Sequence, residues 1–132
     1  MQDRPSANIL LEAIADFLIK EILPITKDND LLSYKTLVSW NMLEIISREL
    51  KYGEKFLTAE LERLSSYLNK EDNFLTKTYQ EKLELAKLWN KELSEKIREK
   101  KIFNPHSVEW NLVKLTLREK LEIANPKFLQ GE

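Results

Sequence analysis

Apolar residues recur three and four positions apart through most of the chain, the spacing that lines one face of an α-helix. Read this way, the pattern predicts five helices. The first covers about Ala7 to Leu23, with Ser6 placed to cap it. Pro24 is placed to end it, because proline disfavours helical geometry in the residue before it. After the polar turn Lys27-Asp28-Asn29-Asp30, a second helix covers about Leu31 to Tyr52, capped by Asp30 and stopped by Gly53 in a left-handed conformation. A short third helix, about Thr58 to Leu68, precedes a loop from Asn69 to Phe74. The fourth covers about Thr76 to Lys100, and Asn104-Pro105 begins a fifth that Asn125-Pro126 closes, leaving a tail from Lys127. Short connections between long helices favour antiparallel neighbours. The expected class is therefore all-α: a five-helix up-down bundle without a sheet, forming one helical domain over residues 1–132.

The helices differ in how much of their circumference is apolar. The fourth has one stripe (Tyr79, Leu83, Ala86, Leu93 and Ile97, with Trp89 at its edge) and a charged back, the pattern of a surface helix. The first is apolar nearly all round, and the second is similar from Leu31 to Leu50. The fifth carries two strips, one through Val108, Leu112, Leu115 and Ile123 and the other through Trp110, Val113, Leu117 and Leu121. Two readings stay open. Either the second helix is simply central, or the surplus is covered by a second copy or another protein.

Composition narrows the picture. Two glycines and four prolines in 132 residues are too few for a turn-rich β protein. The absence of cysteine removes disulfides, thiolate metal sites and cysteine nucleophiles. With 21 basic against 22 acidic residues, the chain lacks the basic surplus expected of a nucleic-acid binder. The local cluster Lys96, Arg98, Lys100 and Lys101 reads first as a cationic last turn opposing the helix dipole. No apolar run reaches the roughly 20 residues of a membrane span, and Glu12 and Asp16 interrupt the stretch that would otherwise resemble a secretory signal. A cytoplasmic location is the expectation, with neither nucleic acid nor membrane as partner and no cofactor.

Candidate chemistry rests on charges that the helical projection places among apolar neighbours. Glu49 shares a line with Leu31, Val38, Met42 and Ile45; Glu21 falls between Ile14 and Phe17; Glu119 lies among Leu112, Leu115 and Ile123. Asn41 and Arg48 flank the second helix and Arg118 the fifth. Buried carboxylates need partners, and arginine supplies the matching fork. The expectation is a buried network joining Glu49 or Glu21 to Arg118 or Arg48. Such a cluster serves either as a register-fixing ion pair or as an acid–base site. A metal site is disfavoured, since a carboxylate-bridged bundle needs Glu-x-x-His pairs and the single histidine, His106, lies at a helix start. No phosphate-binding glycine loop, Gly-x-Ser-x-Gly or His-Glu-x-x-His pattern occurs. Trp40, Trp89 and Trp110 with Tyr34 read as core or as the lining of a pocket.

Three segments are specific enough to compare with known families. They are Arg4-Pro5-Ser6 with Leu10-Leu11-Glu12-Ala13 and Leu23-Pro24; Asn41-Met42-Leu43-Glu44-Ile45-Ile46-Ser47-Arg48-Glu49-Leu50; and Arg118-Glu119-Lys120-Leu121-Glu122-Ile123-Ala124-Asn125-Pro126-Lys127-Phe128-Leu129. Together they resemble an uncharacterised bacterial family, the domain of unknown function 6285. Residues 58–103 share only its helical character. The resemblance implies an accessory domain found beside acyl-CoA dehydrogenases and aminoglycoside-phosphotransferase-like kinases. It therefore implies a protein partner of that kind, while the expectation of a homo-oligomer rests on the apolar surplus alone.

Overall fold

Leu, Glu and Lys dominate the chain, and in the computed structural model, which describes residues 3–131, they build five helices. Helix α1 covers 7–25, α2 Asp30–Leu68, α3 Tyr79–Glu99, α4 Val108–Ala124 and α5 Pro126–Leu129, with one 3₁₀ turn at Phe74–Thr76. No strand occurs among the described residues. The chain falls into two compact units, Met1–Gly53 and Glu54–Glu132, and the boundary lies within α2.

Several boundaries differ from the sequence pattern, each for a local reason. Pro24 does not end α1. Its missing N–H and its ring, which crowds the preceding turn, are accommodated by widening Leu18–Ile22 into a π-helical turn, after which helix resumes over Leu23–Ile25. Asn29, not Asp30, caps α2, its side-chain oxygen accepting from the Leu32 N–H at 3.0 Å. Ser6 stands before α1 but spends its hydroxyl on Asn8 Oδ1 at 2.7 Å rather than on a backbone N–H. Gly53 is no stop: it is buried inside the 39-residue α2, and no glycine has a positive φ. A helical glycine costs about 1 kcal/mol relative to alanine, and the Leu57, Leu61, Leu64 series beyond it offsets that by burial. Helix α3 starts at Tyr79, three residues late, because Thr78 and Glu81 close a reciprocal capping box. Helix α4 starts at Val108 under the Ser107 hydroxyl, leaving Asn104-Pro105-His106 in a turn.

In residues 54–131, Leu57, Leu61, Leu64 and Leu68 of α2 meet Ala86, Trp89 and Leu93 of α3, and Leu112 and Val113 of α4 pack against them. Trp89, placed at the edge of its stripe by the projection, is at the centre of this core, 3% exposed. Phe74 presents its edge to the Trp89 ring, centroids 6.1 Å apart and planes at 89°.

The contacts also fix direction. Glu54 pairs with Lys82, Glu60 with Asn90, and Tyr67 with Lys96, so the two helices ascend together. Helices α2 and α3 are therefore parallel neighbours, where short connections alone would favour antiparallel ones. Asn69, in the left-handed region at φ 54°, ends α2, with the Lys70 N–H bonded to Ser65 O at 2.9 Å. Residues 70–78 then return along the core, carrying Phe74 with them. Extended chain spans up to about 3.3 Å per residue against 1.5 Å in a helix, so this connection is long enough. Helix α4 closes the unit antiparallel to α2: Tyr67 lies opposite Glu109, and Arg63, earlier in α2, opposite Glu119.

In residues 3–53, α1 and the start of α2 form an antiparallel hairpin. Ser47 reaches Asn8 O at 3.4 Å and Glu12 Oε1 at 3.2 Å at one end, while Thr26 and Ser33 share a 2.9 Å hydroxyl bond at the other. The buried residues here are Ala15, Thr26, Thr36, Ser47 and Gly53, none larger than threonine. The seam is narrow, and the large side chains point away from it.

Candidate functional site

The polar residues marked in the sequence separate by environment. Glu21 and Asn41 are exposed on the hairpin. Arg48 and Glu49 are half-buried there, with Arg48 3.7 Å from Glu44 one turn back. Arg118 is exposed on α4. Glu21 and Arg118, expected at buried positions, are exposed, because the projection fixes which residues share a face but not which face is covered.

Glu119 is the inward carboxylate the pattern indicated, but its partner is Arg63. The guanidinium fork meets both carboxylate oxygens, Nη1 to Oε1 at 2.9 Å and Nη2 to Oε2 at 2.5 Å. Arg63 gave no sequence signal, since it stands among Glu62 and Ser65 on a segment that reads as a polar flank. Two further pairs were equally hidden. Lys82, 5% exposed, reaches Glu54 at 2.6 Å, and the buried Glu60 accepts from Asn90 Nδ2 at 2.6 Å. Each joins separate helices, so each fixes register in the core of 54–131.

Tyr67 donates to Glu109 Oε1 at 2.6 Å. Burial, then this bond to a carboxylate, pushes the phenol up to about 12. The same bond holds Glu109 below the usual carboxylate range. The cationic cluster at the end of α3 is put to local use: Lys96 lies over the Tyr67 ring at 5.6 Å, and Arg98 bonds Ser94 one turn back. His106 is exposed in the turn before α4. Among the described residues, no three His, Asp or Glu side chains gather as a metal site would require, and no helix is long and apolar enough to cross a membrane.

Two surfaces remain. One is a groove of about 650 Å³ along α4 and α5, lined by Leu115, Leu117, Leu121 and Leu129 with Asn111, Lys114 and Arg118. The Lys114 ammonium already donates to the Pro105 carbonyl. The other is the hairpin, where thirteen large apolar side chains between Ile9 and Tyr52 are more than a third exposed. The apolar surplus legible in the first two helices is therefore real surface.

The family model for a domain of unknown function, DUF6285, matches residues 27–128. The chain belongs to the DUF6285 family. No curated protein and no solved structure matches it. The match covers all of α2, α3 and α4.

Proposed function

We propose that this DUF6285 chain is a protein–protein interaction module. The observation that carries the reading is the hairpin: two helices that bury nothing larger than threonine against each other while exposing leucine, isoleucine, phenylalanine and methionine. Apolar surface on this scale marks an interaction site. The resemblance of the three sequence segments supports an accessory role beside an acyl-CoA dehydrogenase or a phosphotransferase-like kinase. The test is a pull-down of the tagged full chain from its own cells, set beside the double variant Met42→Glu/Ile46→Glu. An enzyme of either class retained by the native chain and lost with the variant is expected. Equal retention by both would sink the reading.

A second reading is favoured by the groove on α4 and α5. Its apolar floor and cationic rim suit an amphipathic anion, with Arg118 meeting the charged head. Thermal shift with a long-chain acyl carboxylate, compared with Arg118→Ala, decides it. A shift that is absent, or unchanged in the variant, removes the idea.

A further inference from the structure

The groove along α4 and α5 has two unlike ends, and the difference narrows what it holds. Its lining runs along α4 from Asn111 to Leu121, a span of about 15 Å at the rise of an α-helix. Asn111 and Lys114 stand at one end, and both are exposed. Leu121 stands at the other, and Leu129 of α5 lines the groove with it; both are half-buried. The helix breaks at Asn125, whose N–H bonds to Leu121 O at 2.8 Å, and the short α5 that follows supplies the wall there.

The polar end is also positive. Among the described residues that line the groove, Lys114 and Arg118 are cationic and none is acidic. Lys114 is held in place by donating to the Pro105 carbonyl. A neutral carbonyl leaves the charge intact, and an ammonium has three N–H donors, so Lys114 keeps donors for an anion.

We propose that the groove takes a single-tailed anionic amphiphile, its carboxylate at Asn111 and Lys114 and its tail running toward Leu121, with Leu129 setting the length of tail that fits. The proposal rests on the ligand-binding reading of the groove and adds the ligand's direction and the residue that selects its length. The rival occupant is an amphipathic helix of another protein. A docked helix needs an apolar stripe along the whole contact, whereas this groove is polar at one end and apolar at the other.

The test is isothermal titration of the full chain with octanoate, decanoate and dodecanoate, each below its micelle-forming concentration. Affinity should climb by about fourfold for each added methylene, as the tail gains burial. Dodecyltrimethylammonium has the wrong charge and butanoate lacks the tail, so neither should bind. Lys114→Gln should weaken dodecanoate about tenfold, while Lys87→Gln on the exposed side of α3 leaves it unchanged. Leu129→Trp should bring decanoate and dodecanoate down to the affinity of octanoate. Lys114 is exposed, so its variant remains a test even if Leu129→Trp does not fold. Failure of all the carboxylates to bind overturns both this inference and the ligand-binding reading. Equal binding of dodecyltrimethylammonium overturns the anionic head. If Arg118→Ala weakens dodecanoate while Lys114→Gln and Leu129→Trp leave it unchanged, the direction and the role of Leu129 fall and the ligand-binding reading stands.

Discussion

Residues 54–131 and residues 3–53 draw on the same helix-forming residues, yet they solve the burial problem differently. The first region puts leucine, tryptophan and phenylalanine between three helices, with Leu61 fully buried. The second puts alanine, serine and threonine between two. Small residues let helices approach closely, and the large side chains then have nowhere to go but outward. Two helices share one line of contact, whereas three enclose a volume. A pair rich in leucine and isoleucine therefore leaves most of its apolar surface outside, and only a further layer can cover it.

The sharpest way to break this comparison is to truncate one large side chain in each region. Leu61→Ala should cost about 2–5 kcal/mol by urea denaturation at any protein concentration, since it opens a cavity in an enclosed core. Ile46→Ala, 48% exposed, should cost under about 0.5 kcal/mol for a lone chain. A larger cost that shrinks on dilution would instead show the hairpin borrowing its core from a partner. Next in size is Arg63→Ala. It should lose about 2 kcal/mol, because it strips the half-buried Glu119 of both its hydrogen bonds. A double-mutant cycle with Glu119→Gln should show strong coupling, and additive effects would remove the pair from the list of register-setting contacts.

A smaller effect is expected at the start of α3. Thr78→Ala should destabilise the chain by about 1 kcal/mol by removing the hydroxyl that accepts from the Glu81 N–H. The subtlest test is by pH. Tyr67 keeps its proton in the folded chain up to about 12, while the unfolded chain releases it near 10. The raised value means the contribution is fully present below pH 10 and disappears as pH climbs toward 12. Tyr67→Phe should flatten alkaline unfolding in that window. Glu109 acts in the opposite direction. Its lowered pKa gives stability that is present above the ordinary glutamate range and lost as acid protonates it, and Tyr67→Phe removes the largest cause.

Much of the fold was legible in the sequence. The helical period, the paucity of glycine, Asn125-Pro126 at the end of α4 and the inward placement of Glu119 all follow from spacing and from the limits of proline. Legibility failed wherever a second element decided the outcome. Gly53 reads as a stop because an isolated helix would end there, but packing beyond it carries α2 through. Pro24 reads as an end because a π turn is invisible to periodicity. Glu21 and Arg118 read as buried because a wheel shows neighbours on one helix and not what lies across from them.

The sequence by itself determined local matters: which segments are helices, which residues share a face, and that the first two helices hold more apolar surface than they can pair. Those depend on backbone geometry and on interactions within a few residues. The tertiary structure decided what needs two distant segments at once. It made α2 and α3 parallel through a returning connection, chose Arg63 as the partner of Glu119, and set Trp89 at the centre of a core. It also turned the hairpin's large side chains outward, because a seam of alanine, serine and threonine leaves no room for them between the helices.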